Sequence, residues 1–108
     1  MSGSSGGGGG GAYDASSIPC ERLVFDTQLS SPKESVVSSI SVGNILPVAM
    51  QTFGTTAVVV VLHQGQIAGG LASPAVQRLR QCMAAGFLFK AQVTSINDGQ
   101  ILLRVSGA

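Results

Sequence analysis

Leu29-Ser30-Ser31-Pro32 recurs as Leu71-Ala72-Ser73-Pro74, and the two copies occupy the same local sequence. Each copy follows an apolar run typical of a strand and precedes a short stretch with helical spacing that reaches a glycine, Gly43 or Gly86. Two more strand-like runs follow each glycine. The chain is therefore predicted to contain a β-α-β-β unit twice, an order that indicates a small barrel or sheet with pseudo-twofold symmetry.

The first 17 residues are expected to form a flexible tail outside the domain. After Met1, residues 2–11 are all glycine or serine. Segments of this composition behave as flexible coils. The Gly6–Gly11 run is either a natural tail or a linker added for expression. Residues 18–108 remain, and a segment of this size is expected to fold as one small barrel-like domain with a modest margin of stability.

The charge composition argues against a partner held mainly by electrostatics. Charged residues make up 10% of the chain and the net charge is +1. A nucleic-acid binder that depends on phosphate contacts normally carries a basic patch, whereas only Arg78 and Arg80 are close together among the six basic residues. Low charge and 44% apolar residues favour a protein partner or self-association.

Neither a secretory signal nor a membrane span is predicted. No basic stretch followed by an apolar core occurs near the N-terminus, and the longest apolar run, Ala57–Leu62, is too short to cross a bilayer. Cys20 and Cys82 are too few to indicate a disulfide framework. We therefore expect a soluble, cytoplasmic protein without membrane association.

Three strands and one helix are predicted in the first unit. The strands cover residues 22–29, 45–52 and 57–62, and the last is continuously apolar, as expected of a central strand covered on both faces. Ser31 is predicted to cap a helix whose first position is Pro32 and whose last turn is closed by Gly43.

The second unit has the same predicted order. Its first strand, residues 67–71, contains Gly69-Gly70, which indicates a bulge or a close backbone approach. Ser73 and Pro74 are predicted to start a helix that ends at Gly86. The apolar stripe of this helix is predicted to consist of Val76, Leu79, Cys82 and Met83. The core face of the strand after it is predicted to consist of Phe87, Phe89, Ala91 and Val93.

The final hairpin can be predicted in register. A two-residue turn at Asp98-Gly99 would place Val93 opposite Arg104. A three-residue loop, with Gly99 in the left-handed conformation, places Val93 opposite Leu103. Because opposed residues share a face, the apolar pattern favours the three-residue loop.

No catalytic, metal or cofactor site is predicted. His63 could act as a base or a ligand, but neither chemistry has a partner in the sequence, so it is interpreted as a polar residue at a strand end. Cys20 and Cys82 do not form the paired spacing of zinc ligands, and Cys82 on the apolar stripe is interpreted as a buried thiol. The carboxylates form no acid–base pair, and Gly69-Gly70 lacks the spacing of a phosphate-binding loop.

A binding surface is predicted from loop residues that the barrel does not need. Phe53, beside Gly54, is the one aromatic residue whose position allows exposure, and the alternative is that its ring folds back on the barrel. The candidate surface joins three short segments: Phe53 and Gly54, His63 and Gln64, and Gly69 and Gly70. An exposed apolar surface of this kind would bind a protein partner.

The order of glycines and apolar runs from Val42 to Val105 resembles that of HIRAN domains. The resemblance rests on Gly43, the run Thr56-Ala57-Val58-Val59-Val60, Gly65, Ile67-Ala68-Gly69-Gly70-Leu71, Leu79, Ala91 and Val93. It implies a small barrel and, in some DNA-repair helicases of that family, capture of single-stranded DNA ends. Phe53-Gly54-Thr55-Thr56 stands where the family has an aromatic-Asp-x-Asn stretch, so the DNA-contacting aromatics have no match. The repeated unit also resembles cradle-loop barrels.

The prediction is thus an α+β domain: a six-stranded β-barrel-like fold with two short helices. Enzyme activity is not expected, because no nucleophile and base can be paired from the sequence. Two functions stay open. The first is an accessory or adaptor module that binds a protein partner or forms a homo-oligomer. The second is a HIRAN-like module that binds single-stranded DNA ends.

Overall fold

The computed structural model describes residues 18–108 and confirms the predicted fold class. The predicted tail, residues 1–17, lies outside the described residues. A 3-10 helix at Cys20–Arg22 precedes the first strand. The strands are β1 (Phe25–Ser30), β2 (Ile45–Phe53), β3 (Thr56–His63), β4 (Gln66–Leu71), β5 (Phe89–Asn97) and β6 (Gln100–Gly107), and the helices are α1 (Glu34–Val37) and α2 (Val76–Ala84).

The six antiparallel strands form a closed ring in the order β1-β4-β3-β2-β5-β6. The first unit contains β1, β2 and β3, and the second contains β4, β5 and β6. If each strand is replaced by its equivalent in the other unit, the same strands remain neighbours. The predicted pseudo-twofold repeat is therefore present in the strand pairing. The first strands of the units pair with each other, and Leu29 lies opposite its repeat equivalent Leu71. Each of these strands also pairs with a strand of the other unit, β1 with β6 and β4 with β3. The units therefore interlock.

The core fills the inside of the ring with aliphatic side chains. The core cluster includes Val59 and Val61 of β3 and Leu103 and Val105 of β6. Every buried member of this cluster is at most 7% exposed. Leu79 and Cys82 of α2 belong to the same cluster and are fully buried. The predicted stripe of α2 is thus confirmed, since its other members Val76 and Met83 pack partly buried against the core.

The register predicted for the last hairpin is correct, but its predicted cause is wrong. Val93 lies opposite Leu103, as expected. The turn nevertheless has two residues, Asp98 and Gly99, both with positive φ, and Asn97 lies opposite Gln100. The extra residue is Thr94, a bulge between Val93 and Ser95 whose hydroxyl donates to the Leu102 carbonyl at 3.2 Å. A bulge shifts register by one residue as a longer loop would.

The first helix differs from its prediction at both ends. It covers only Glu34–Val37, and Ser31 has a φ of +49°, which is not the conformation of an N-cap. Gly43 lies well beyond this helix and donates its N–H to the Val93 carbonyl at 2.8 Å. A valine- and serine-rich stretch has low helix propensity, so tertiary contacts decide where the helix stops.

The second helix begins and ends largely as predicted. The Ser73 hydroxyl accepts a hydrogen bond from the Ala75 N–H at 3.1 Å, in the turn just before the helix. Gly86, with a φ of +101°, closes it, and the next N–H returns to the Cys82 carbonyl. This closing turn places Phe87 outside β5, where it is 38% exposed, so its predicted position on the core face is wrong.

Cys20 and Cys82 form a disulfide, with their Cα atoms 5.5 Å apart. Cys82 is therefore buried as expected, but not as a thiol. The bond joins the 3-10 helix to α2 across 62 residues of sequence. The Arg78 guanidinium strengthens the same junction through two hydrogen bonds to the Ile18 carbonyl, at 2.9 and 3.2 Å. Within residues 18–108 no helix is long and apolar enough to cross a membrane.

An ion pair between neighbouring strands lies on the outer surface of the ring. Arg104 Nε lies 2.9 Å from Asp26 Oδ1, and the hydrogen bond from Arg104 lowers the pKa of the Asp26 carboxyl. Because the folded pKa is lowered, the pair stabilises the fold above the ordinary carboxyl pKa, and this stabilisation is lost as pH falls through the folded pKa.

We expect Asp26→Asn to change the melting temperature only slightly at neutral pH, since exposed ion pairs contribute little. Thermal melts of both proteins from neutral to acid pH check this. The difference should shrink in acid, and a difference that grew as pH fell would contradict the assignment.

Candidate functional site

The structure places the six predicted binding residues in three separate positions. Phe53 and Gly54 lie at the β2–β3 turn, with Gly54 at a φ of +64°. His63 and Gln64 lie at the β3–β4 turn, at the other end of β3 and roughly 23 Å away by the rise of a strand. Gly69 and Gly70 lie inside β4. The two turns therefore do not form one surface, whereas Gly70 and Phe53 lie on the same face of the sheet.

That shared face is the outer face of β2, β3 and β4. Phe53 lies opposite Thr56, and Gly70 lies opposite Val60. Side chains alternate along a strand, so Val58 and Val60 of β3 project to the same side as these two residues. Val58 is the diagonal neighbour of Phe53, within reach of an aromatic ring. An apolar stripe thus runs from the exposed Phe53 towards Gly70.

A groove of about 250 Å³ opens where this stripe reaches Gly70. Val58, Val60 and Ile67 supply its apolar lining. Ser30, Ser31 and Lys33 line it from the segment that joins β1 to α1. That segment is fixed by a hydrogen bond from the Lys33 N–H to the Ala68 carbonyl at 2.8 Å. We call this depression the Gly70 groove.

The two adjacent glycines have different structural roles. A Cβ on Gly69 would lie 2.7 Å from the Ser30 carbonyl oxygen and 2.8 Å from Leu29 Cγ, so this position requires glycine. A Cβ on Gly70 would come no closer than 3.4 Å, to the Val59 carbonyl oxygen. The predicted close approach is therefore confirmed at Gly69, and the predicted bulge lies one residue earlier, at Ala68. Gly70 keeps the groove open.

His63 makes one side-chain hydrogen bond among the described residues. Its Nε2 lies 3.0 Å from the Ser39 hydroxyl, which links the end of β3 to the loop after α1. Cys20 and Cys82 are bonded to each other, so neither is available as a thiolate ligand or nucleophile to act together with His63. No group of three His, Cys, Asp or Glu side chains that could hold a metal ion occurs in residues 18–108.

Three of the six basic side chains are held by contacts within the fold. Arg104 pairs with Asp26, Arg78 binds the Ile18 carbonyl, and Lys90 donates to the Gly107 carbonyl at 2.7 Å. The others, Arg22, Lys33 and Arg80, belong to three different segments. Among residues 18–108, three basic side chains are therefore left for contacts with a phosphate backbone.

The sequence prediction missed the valines that line the groove. Val58 and Val60 were assigned to a strand covered on both faces, which is correct for Val60 at 3% exposure. The pattern could not show that Gly70 lies directly opposite Val60 on β4. Because Gly70 has no side chain, a depression is left beside Val60 on the outer face. A paired glycine beside a long valine run is the one signal that could have indicated the groove.

Comparison of the chain with protein-family models, with curated proteins and with solved structures finds no match. The resemblance to HIRAN domains therefore stays a prediction. Function has to be argued from the surface itself.

Proposed function

We propose that this chain is a non-enzymatic binding domain, an accessory or adaptor module whose protein partner docks on the outer face of β2, β3 and β4. The observation that carries the proposal is Phe53, which is 54% exposed at one end of an apolar stripe. Large aromatic side chains left in solvent next to apolar residues are typical anchors of protein interfaces.

The Gly70 groove gives this partner a chemistry. Its volume of about 250 Å³ accommodates one large apolar side chain, and its lining of Val58, Val60 and Ile67 favours burial of such a side chain. Hydroxyls of Ser30 and Ser31 are available at the rim for a neighbouring backbone. The partner is therefore a protein segment that places one apolar side chain in the groove and a second apolar side chain against Phe53.

Phe53→Ala is expected to weaken capture of the partner, or self-association, by about tenfold or more, as for a hot-spot residue. The melting temperature should stay nearly unchanged because the ring is exposed. Affinity capture quantified by mass spectrometry, with sedimentation velocity for self-association, measures the first effect. A loss of about 3 kcal/mol of stability would place Phe53 in the core and contradict the proposal.

Gly70→Val tests the groove separately, because it fills the depression without the backbone clash that Gly69 would create. We expect the same captured protein to be lost with Phe53→Ala and Gly70→Val and kept with Gln92→Ala, an exposed residue of β5. Equal capture by all three variants would refute the outer-face site.

The HIRAN-like alternative predicts binding of single-stranded DNA ends. A titration with a short single-stranded oligonucleotide at low salt separates the two functions. Affinity that falls steeply with salt would favour the alternative, whereas an apolar protein interface depends only weakly on salt.

A further inference from the structure

The outer edge of β2 loses its partner strand halfway along its length. β2 pairs with β5 only at Ile45, Leu46 and Pro47. On its other side β2 continues to pair with β3 as far as the Phe53–Thr56 position. Because Pro47 has no N–H, its pairing with Lys90 is flanked by the hydrogen bonds of Leu46 and Val48, and the register with β5 stops there. None of the turn and loop hydrogen bonds of the described residues involves residues 49–53. The edge from Ala49 to Phe53 thus has no partner strand on this side.

The direction of the unpaired groups follows from the tight turn. In a two-residue hairpin the residues next to the turn, Phe53 and Thr56, exchange both hydrogen bonds. Odd-numbered residues of β2 therefore bond to β3, and the even-numbered residues Met50 and Thr52 turn their N–H and C=O groups away from it. These two residues present a short ladder of donors and acceptors that an extended chain can pair with as an added strand.

Helix α2 forms the opposite wall of this edge. Met50 and residues of α2 line an open groove of about 640 Å³, which we call the strand–helix groove. Its apolar lining comes from Met50, Val76 and Ala84, and its polar lining from Gln77, Arg80 and Gln81. A strand edge beside a helix, with apolar side chains on both, is an arrangement that takes an extended peptide by strand addition.

The charge of this groove is positive. Arg80 is exposed, and within residues 18–108 it forms no ion pair, whereas its neighbour Arg78 is held by the Ile18 carbonyl and Gln81. Helix α2 contains no acidic residue. A carboxylate brought into the groove would thus meet an available guanidinium and no like charge from the helix.

We propose that the strand–helix groove binds an extended peptide segment that carries an acidic side chain. The backbone of the peptide pairs with Met50 and Thr52 as an added strand. Its carboxylate contacts Arg80, and an apolar side chain lies over Met50 and Val76. This site is distinct from the Gly70 groove, and it stands or falls independently of the function proposed above.

The test is selection of peptides from a random decapeptide phage library against the intact protein and against two variants. Thr52→Pro removes the outward N–H while leaving the pairing with β3, a replacement that strand edges tolerate. Thr52→Ala keeps the N–H and is the matched control. Selected peptides should be enriched in Asp and Glu, bind the Thr52→Ala variant normally, and lose about tenfold or more in affinity for Thr52→Pro.

Arg80→Glu keeps the experiment decisive should Thr52→Pro fail to fold, which a thermal melt reveals. It should reverse the preference from acidic to basic peptides. In hydrogen exchange, the Met50 and Thr52 amides should exchange rapidly in the free protein and slow when a selected peptide is added. Selected peptides without an acidic excess, or peptides that leave both amides unprotected, would overturn the proposal.

Two other occupants would also be revealed by hydrogen exchange. Protection of these amides in the free protein that disappears when residues 1–15 are removed would assign the groove to the chain's own N-terminal segment. Protection that rises with protein concentration would assign it to a second copy. Either result would overturn the proposal of a peptide partner.

Discussion

Aspartate in place of Val59 or Val60 is expected to unfold the domain. Val59 is 2% exposed inside the ring, and Val60 is 3% exposed on the opposite face of the same strand. Either carboxylate would be buried without a partner, at a cost of about 4 kcal/mol or more. A domain of this size has a total stability of about 5–15 kcal/mol. Thermal melts followed by circular dichroism should show no cooperative transition, or one at a much lower temperature.

Gln92→Asp is the matched control, because it adds the same charge to a neighbouring part of the ring. Gln92 is exposed on β5 and lies opposite Arg104. The change should alter stability by no more than about 0.5 kcal/mol. Damage equal to that of Val60→Asp would show that the outward orientation of Gln92, and with it the register of β5, is wrong.

The repeated β-α-β-β architecture could be predicted because the same local pattern occurs twice in the sequence. Leu29 and Leu71 mark equivalent points of the two units, and they turn out to lie opposite each other. The four strands predicted with bounds agree with the observed ones to within three residues at each end. Alternation of apolar residues determines which face is buried, so the pairing of Val93 with Leu103 followed from the sequence.

The same pattern could not locate the extra residue of that hairpin. A bulge at Thr94 and a three-residue loop place identical side chains in the core, so burial alone does not distinguish them. The first helix shows a related limit. Ser31 and Pro32 form a plausible helix start, yet Ser31 takes a positive φ and the helix begins at Glu34. Tertiary contacts override weak local propensity.

Both candidate sites depend on where strands separate, which no local pattern records. An exposed Phe53 was one of the two orientations that its place beside Gly54 left open, and the structure has this one. The strand–helix groove was not, because it exists only where β2 departs from β5 after Pro47. His63 and Gln64 were grouped with Phe53 as loop residues, but the full length of β3 separates them.

The disulfide was the largest feature hidden from the sequence. Two cysteines separated by 62 residues reveal no pairing until the fold brings their Cα atoms within bonding range. Structural disulfides are rare in cytosolic proteins and common in oxidising compartments. The Cys20–Cys82 bond therefore weighs against the cytoplasmic location expected from the sequence, and that location stays a prediction.

Loss of the Cys20–Cys82 bond is expected to destabilise the domain by about 4 kcal/mol, the chain-entropy contribution of a loop of this length. The melting temperature should then fall by roughly 20 °C for a domain of about ninety residues. Melts of the wild type with and without reductant, and of the Cys20→Ala/Cys82→Ala double variant, measure the effect.

Reductant should lower the melting temperature of the wild type and leave that of the double variant unchanged, which isolates the bond from other effects of the reagent. The variant and the reduced wild type should agree closely, apart from the small cavity left by the Cys82 sulfur in the core. Thiol titration in denaturant should find no free thiol in the untreated wild type. Two free thiols in that protein, or a melting temperature that reductant does not move, would show that the 3-10 helix is not held to α2 by a covalent bond.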